Sequence, residues 1–337
     1  MASLLSVENL QVCFRTHAGV VQALRGVDFA LEAGDIVGIV GESGCGKTVT
    51  ASAIMGIIPS PPGEITSGRV LFEGRNLFSL SEPEARSLRG NAISMIFQDP
   101  MTSLNPVLTI GAQLTEPFIL HQSLTRAVAT ERAVELLRLV GLADPAARLK
   151  QYPHQLSGGM RQRVMIAMAL ACNPRLLFAD EPTTALDVTV QAQILDLLKK
   201  LNQELNTTIV LITHDLGVVA GICRKVFVMY AGQIVETAPV GELYETPRHP
   251  YTAGLLRSVP RPGDSGKKLR TIDGHPPDLI APPAGCAFLP RCRFVMQACL
   301  EAPPLMMLSA GRQARCWLNH PDSPRTPQDL FTSGGNP

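Results

Sequence analysis

The chain of 337 residues carries almost no net charge: 30 Lys and Arg stand against 29 Asp and Glu, a balance of +1. That removes the electrostatic footprint of a nucleic-acid binder and the basic tail that would hold a chain to anionic lipid, so nucleic acid is not an expected partner. Long apolar runs are missing too. Hydrophobic residues make up 45 % and mean hydropathy is +0.14, yet the longest unbroken run, Val164 to Cys172, has nine residues and stops at Asn173-Pro174. A membrane-spanning helix needs about twenty. The first residues, Met1-Ala2-Ser3-Leu4-Leu5-Ser6-Val7, lack the basic region of a secretory leader, so a cytoplasmic, reducing location is expected. In that compartment the eight cysteines are not expected to pair as disulfides. The length exceeds one compact core and points to one large domain with something smaller.

What is present is organised around Gly41-Glu42-Ser43-Gly44-Cys45-Gly46-Lys47-Thr48. It matches the P-loop pattern, Gly, four residues, Gly-Lys-Ser/Thr, without a mismatch. Asp35 to Val40 before it reads as a buried strand, and Thr48 to Ile58 after it as a helix. The glycines let backbone N–H groups converge on phosphate oxygens, and the helix adds its positive end. Lys47 is placed to reach the β- and γ-phosphates, and the Thr48 hydroxyl to ligate Mg²⁺.

Upstream, Leu10 to Phe14 and Val27 to Leu31 read as short alternating strands, an antiparallel edge beside the nucleotide. Phe14 is either a stacking platform for adenine or a core aromatic. Downstream, Ala92 to Phe97 reads as a strand closed by Gln98, an amide placed to touch an ion or a water unless it is merely solvated. Thr130 to Val140 has helical periodicity and closes at Gly141, within a helical insertion covering roughly residues 100 to 155. Ser157, Gly158 and Gly159 then open a helical run. They form a second anion-binding helix end, or an ordinary N-cap. Leu176 to Ala179 is an apolar strand ending in Asp180 and Glu181. Asp180 suits Mg²⁺ coordination, and Glu181 could polarise an attacking water. Ile209 to Thr213 repeats the design with His214 at its tip, structural or in contact with a γ-phosphate.

The order of these motifs, with Leu156-Ser157-Gly158-Gly159-Met160-Arg161-Gln162 the most specific among them, resembles the nucleotide-binding subunit of an ABC transporter over roughly residues 5 to 255. The resemblance implies an α/β fold: a P-loop NTPase (RecA-like) core with an antiparallel β edge subdomain and a helical subdomain. A small Cys-rich C-terminal extension would follow it. The implied division is an ATPase domain over 1–258, with the helical subdomain at about 100–158, and a Pro- and Cys-rich domain over 259–337. It implies ATP and Mg²⁺ as cofactors, with Gly41, Ser43, Gly44, Cys45, Gly46, Lys47 and Thr48 cradling the phosphates and Phe14 stacking on adenine. Thr48, Gln98 and Asp180 would hold Mg²⁺, Glu181 would be the general base, and His214 would contact the γ-phosphate. Family members work as head-to-tail dimers, so Ser157, Gly158, Gly159 and Asp187 would serve the partner's site. Cys45 departs from the usual Ser. Since that position contributes mainly backbone, activity is expected to survive, with sensitivity to thiol reagents.

A narrower resemblance lies in the stretch Phe97 to Pro106, in Tyr152-Pro153-His154-Gln155 and in Arg248-His249-Pro250-Tyr251-Thr252. These look like the dipeptide/oligopeptide importer ATPases, D-type subunit. The implied partners are a distinct F-type ATPase, two membrane permeases and a periplasmic or extracellular peptide-binding protein, with this chain peripheral on the cytoplasmic face of the inner membrane. The helical insertion would grip the permease. Close relatives handle nickel, antimicrobial or opine-like peptides, and the chain never touches the cargo. A soluble ABC ATPase without a transporter is the rival class. Such proteins usually carry two cassettes or basic segments, both absent here.

After Val259 the composition shifts, with 13 of the 27 prolines in the last 78 residues. Cys286, Cys292, Cys299 and Cys316 follow the spacing C-x5-C-x6-C-x16-C. A [4Fe–4S] cluster on four thiolates, an all-cysteine Zn²⁺ site and four unlinked thiols compete. Zinc sites usually show Cys pairs two to four residues apart, which are absent here. The family's C-terminal motif is similar at all four positions and implies the cluster. A tail so polar has little core of its own, so a bound metal is expected to supply much of its folding energy. His249, His275 and His320 read as surface residues.

Overall fold

A computed structural model describes residues 3–99, 103–184, 186–259, 271–328 and 330. Pro100, Met101 and Thr102, which belong to a stretch quoted above, lie outside the described residues, as does Ala185. Twelve strands are described: β1 (Leu5–Thr16), β2 (Gly19–Leu31), β3 (Ile36–Val40), β4 (Gly63–Phe72), β5 (Arg75–Asn76), β6 (Ile93–Ile96), β7 (Leu176–Asp180), β8 (Thr208–Thr213), β9 (Lys225–Tyr230), β10 (Gln233–Pro239), β11 (Met306–Ser309) and β12 (Arg312–Ala314). No helix among the described residues is long and apolar enough to cross a membrane. The chain forms two compact units that do not follow sequence order. One gathers residues 31–36 and 76–212 with the N-terminal residues, and the other gathers 5–30, 37–75 and everything from Thr213 on.

The second unit holds the antiparallel sheet β2-β1-β4-β5. In β1, Leu5, Val7, Leu10 and Val12 are buried while Ser6, Glu8 and Gln11 are not, the alternation a half-buried strand requires. The register against β4 slips between Glu8 and Gln11, where Asn9 takes φ 45°. In the same unit β3, Ile-Val-Gly-Ile-Val, is buried throughout, as parallel strands covered on both faces are. It pairs parallel with β9, and β10 follows β9 antiparallel. The helix Lys47–Met55 ends sooner than the predicted Ile58 because Gly56 takes the left-handed C-cap, φ 66°.

The first unit carries β6, β7 and β8 in parallel. Between β6 and β7, the helices Ile110–Gln122 and Arg126–Leu139 lie within the expected insertion, and the helix Gly158–Leu170 follows it. The helix predicted from Thr130 starts a turn earlier, after Thr125, and stops before Gly141, φ 76°. Each strand delivers at its carboxyl end a polar residue singled out above: Gln98 after β6, Asp180 at the end of β7, His214 after β8. That is the end of a parallel α/β sheet where ligands bind.

The tail needs less independent core than its composition suggests. Beyond Val259 it has three 3-10 turns and two strands among the described residues, and β12 pairs antiparallel with β10, Glu236 opposite Ala314. Gln22 N–H donates to Leu279 O at 2.8 Å, and Arg315 pairs with Asp28 at 3.3 Å. The tail therefore borrows its order from the unit that carries the P-loop.

Candidate functional site

The P-loop is shaped by close approaches that only glycine permits. A Cβ on Gly41 would stand 2.2 Å from Met229 O, and one on Gly46 2.9 Å from Ala23 O. Gly46, φ 107°, precedes the helix Lys47–Met55, so the first turn's free N–H groups face the loop. Lys47 is 6 % exposed and its Nζ donates to Gly41 O at 2.8 Å and Glu42 O at 3.0 Å, which holds the ammonium over the loop. Ser43, Gly44 and Thr48 are exposed. Cys45 is buried, with its sulfur beside Gly41, and burial pushes its thiol up to about 11. The expected sensitivity to thiol reagents is corrected accordingly: a buried, protonated thiol is a poor nucleophile.

Phe14 is half-buried, and its ring lies 3.0 Å from where a Cβ on Gly63 would be. The neighbouring strand cavity is lined by Gln11, Cys13, Arg15, Gln22, Arg25 and Thr66 among others, a set without Phe14. His214 is exposed at the end of β8, and Asp215 beside it caps the next helix, accepting from Gly217 N at 2.7 Å.

In the first unit, Asp180 is 3 % exposed at the tip of β7. Glu181 follows in the left-handed region, φ 46°, with its N–H donating to Ile212 O at 2.8 Å. Its Oε2 accepts from Gln98 Nε2 and from Thr184 Oγ1, each at 2.9 Å. The two strand-end residues singled out separately are thus joined, and Thr184 is a partner that sequence reasoning missed. Ser157 caps the helix Gly158–Leu170, its Oγ accepting from Met160 N at 3.4 Å. A Cβ on Gly159 would stand 3.0 Å from Val190 Cγ1, three residues into the helix that Asp187 caps. The signature and Asp187 therefore form one small neighbourhood.

Cys286, Cys292, Cys299 and Cys316 line one cavity with His249 and Phe288, and none is in a disulfide. Burial raises the Cys292 thiol to about 11 and the Cys316 thiol further, and the neighbouring thiols add to both shifts. No group of three or more His, Cys, Asp or Glu among the described residues is placed to hold a metal ion. His249 is not the surface residue expected. It is 1 % exposed, its Nδ1 accepts from Tyr251 N at 3.0 Å, and burial lowers its pKa to about 3.

Residues 24–184 match the family described as ABC transporter, and residues 235–299 match Oligopeptide/dipeptide transporter, C-terminal region, a span that stops before Cys316. The chain is 55 % identical over 324 residues to the oligopeptide transport ATP-binding protein OppD of Bacillus subtilis, covering 96 % of this chain and 90 % of that one. It is 52 % identical to the dipeptide transport ATP-binding protein DppD of the same organism, over 94 % and 95 % of the two chains. OppD of Salmonella typhimurium is likewise 52 % identical, over 93 % of each. Among solved structures, the dimeric ATP-binding cassette MJ0796 with ADP and Pi superposes with a TM-score of 0.63 at 30 % identity, over 70 % of this chain and 98 % of that one.

Proposed function

The chain belongs to the ATP-binding subunits of the oligopeptide/dipeptide ABC transporters, and from that membership we propose how its residues power peptide import. Lys47 leaves the carbonyls of Gly41 and Glu42 for the β- and γ-phosphates, while the loop N–H groups and the helix start hold the phosphate oxygens. Thr48, Gln98 and Asp180 offer the hydroxyl, amide and carboxylate oxygens that suit a hard cation, and Mg²⁺ bound there would neutralise charge on the phosphates. Glu181 accepts a proton from the attacking water, and Gln98 and Thr184 fix the angle of its carboxylate. His214 contacts the γ-phosphate, and Phe14 stacks on adenine from its strand.

Ser157, Gly158, Gly159 and Asp187 serve the site of the second ATPase, a distinct F-type paralogue. Two permeases and an external peptide-binding protein complete the assembly, with this chain peripheral on the cytoplasmic face. The hydrogen bond from Gln98 to Glu181 carries the catalytic reading, because it ties a residue expected to hold Mg²⁺ to the residue expected to activate water. The test is peptide uptake by the transporter reconstituted in proteoliposomes. ATP-dependent uptake that Lys47→Ala abolishes is the expected result, and uptake unaffected by that change would refute it.

For the cysteines we propose the [4Fe–4S] cluster over zinc. Four thiols, the number a [4Fe–4S] cluster takes, line one cavity, and their spacing lacks the close Cys pairs usual at a zinc site. The cluster, when bound, would cross-link the tail. About four irons and four sulfides per chain in anaerobically purified protein is the expected content; about one zinc and no colour would replace this reading with the other.

A further inference from the structure

Every polar group of Glu42 is engaged. Its N–H donates to Tyr251 Oη at 2.8 Å, and its carbonyl accepts from Lys47 Nζ at 3.0 Å. Its carboxylate receives both Nη atoms of Arg291, at 2.7 and 2.9 Å. Arg291 lies 249 residues further along the chain, at the end of the 3-10 turn Leu289–Arg291, and its side chain is 4 % exposed. A guanidinium has five N–H donors, and here all five have acceptors. Beyond Glu42, Nε donates to Asp273 O at 3.0 Å, Nη2 to Ile272 O at 3.3 Å and Nη1 to Tyr230 Oη at 3.4 Å. Tyr230 and Phe288 add ring contacts at 5.8 and 5.9 Å. A buried, bidentate and fully satisfied fork differs in kind from a mobile surface ion pair.

We propose that Arg291 is a positioning residue of the nucleotide site: by fixing Glu42 it holds the P-loop in its phosphate-cradling shape and so sets the affinity for ATP. The inference rests on the reading that this loop takes ATP. Its physical content is preorganisation. Lys47 bonds the carbonyls of Gly41 and Glu42, and its ammonium would turn from them to the phosphates of a bound nucleotide. Arg291 and Tyr251 keep hold of Glu42 during that exchange. Without Arg291 the loop loses a fixed point, and binding must supply the order. The turn carrying Arg291 lies between Cys286 and Cys292, whose side chains line the cysteine cavity.

The test compares Arg291→Gln, Glu42→Gln and the double variant in the full chain within the assembled transporter. A fluorescent ATP analogue reports affinity, and steady-state hydrolysis reports KM and kcat. Arg291→Gln is expected to weaken ATP binding and raise KM about tenfold with kcat within about twofold, because Arg291 touches no reacting atom. Glu42→Gln should match it, and the double variant should be no worse than either, since both remove one interaction. Arg291→Lys should recover only part, since an ammonium cannot span both carboxylate oxygens. By reciprocity, ATP should slow amide exchange across residues 289–292 in the wild type and not in Glu42→Gln. Unchanged ATP affinity in Arg291→Gln overturns the proposal. Should that variant not fold, Glu42→Gln decides, because it leaves the tail's own residues untouched: unchanged affinity there overturns it equally. A wild-type chain that binds no ATP refutes the nucleotide reading itself, a result distinct from either.

Discussion

Glu181 occupies a backbone region that residues with a Cβ seldom enter, and it is held there by its N–H bond to Ile212 and by two donors on one carboxylate oxygen. The strain aims a carboxylate that could otherwise rotate. Glu181→Gln keeps the shape and can still engage Thr184, but an amide cannot accept the proton from water. ATP affinity should stay within a few-fold while kcat falls by about a hundredfold or more, measured by single-turnover hydrolysis. Hydrolysis at the wild-type rate would remove Glu181 as base. Lys47, Thr48, Gln98 and Glu181 could be singled out because each sits at a fixed offset from a glycine or at the tip of an apolar strand. Arg291 and Glu42 were not, because 249 residues separate two halves of one ion pair and neither half carries a local pattern. His249 was misread for a related reason. Between Arg248 and Pro250 it looks exposed, yet tertiary packing closes Phe288 over its ring at 5.7 Å.

At the scale of the element, β10 hides a carboxylate that no periodicity announces. Glu236 is fully buried and takes the N–H groups of Arg248 and His249, at 2.7 and 2.9 Å, at the start of the helix Pro250–Ser258. Burial raises its pKa from 4.5 to about 7 against the opposing pull of those hydrogen bonds and of Arg312. Between pH 4.5 and 7 the folded chain therefore holds a proton that the unfolded chain has released, so this group's contribution falls as pH rises through that window. The loss is on the order of 3 kcal/mol. Thermal unfolding should show stability declining from pH 5 to pH 7.5. Glu236→Gln, neutral throughout, should be less stable at pH 5, where one N–H loses its acceptor, and should show a flatter profile. Equal slopes in the two proteins would count against Glu236 as the titrating group. The same scale explains what the sequence revealed of the fold. β3, β6, β7 and β8 were visible as short apolar runs, because parallel strands are buried on both faces. The docking of β12 on β10 was not, since Arg312-Gln313-Ala314 has no strand pattern of its own and is ordered by tertiary pairing.

For the whole molecule, the two helix starts expected to take anions, Gly46 and Ser157, belong to different compact units. A single site needs the phosphates cradled once. In the head-to-tail reading, the Ser157 end closes over the nucleotide held by the partner's P-loop, which is why a dimer is the working form. Ser157→Arg tests this, because it places a bulky side chain where the partner's phosphate should approach and leaves this chain's own P-loop untouched. ATP affinity of the isolated chain should stay within about twofold, while ATP-driven association and hydrolysis by the assembly fall by about a hundredfold or more. Ser157 also caps its helix, so some stability is lost for a trivial reason, about 1 kcal/mol. Ser157→Ala removes the cap and the hydroxyl without adding bulk, and it should lower the melting temperature with a smaller effect on association than Ser157→Arg. If Ser157→Arg instead abolishes ATP binding by the isolated chain, the signature serves its own site. Asp187, which caps the helix beside Gly159, would then act in the same chain as well.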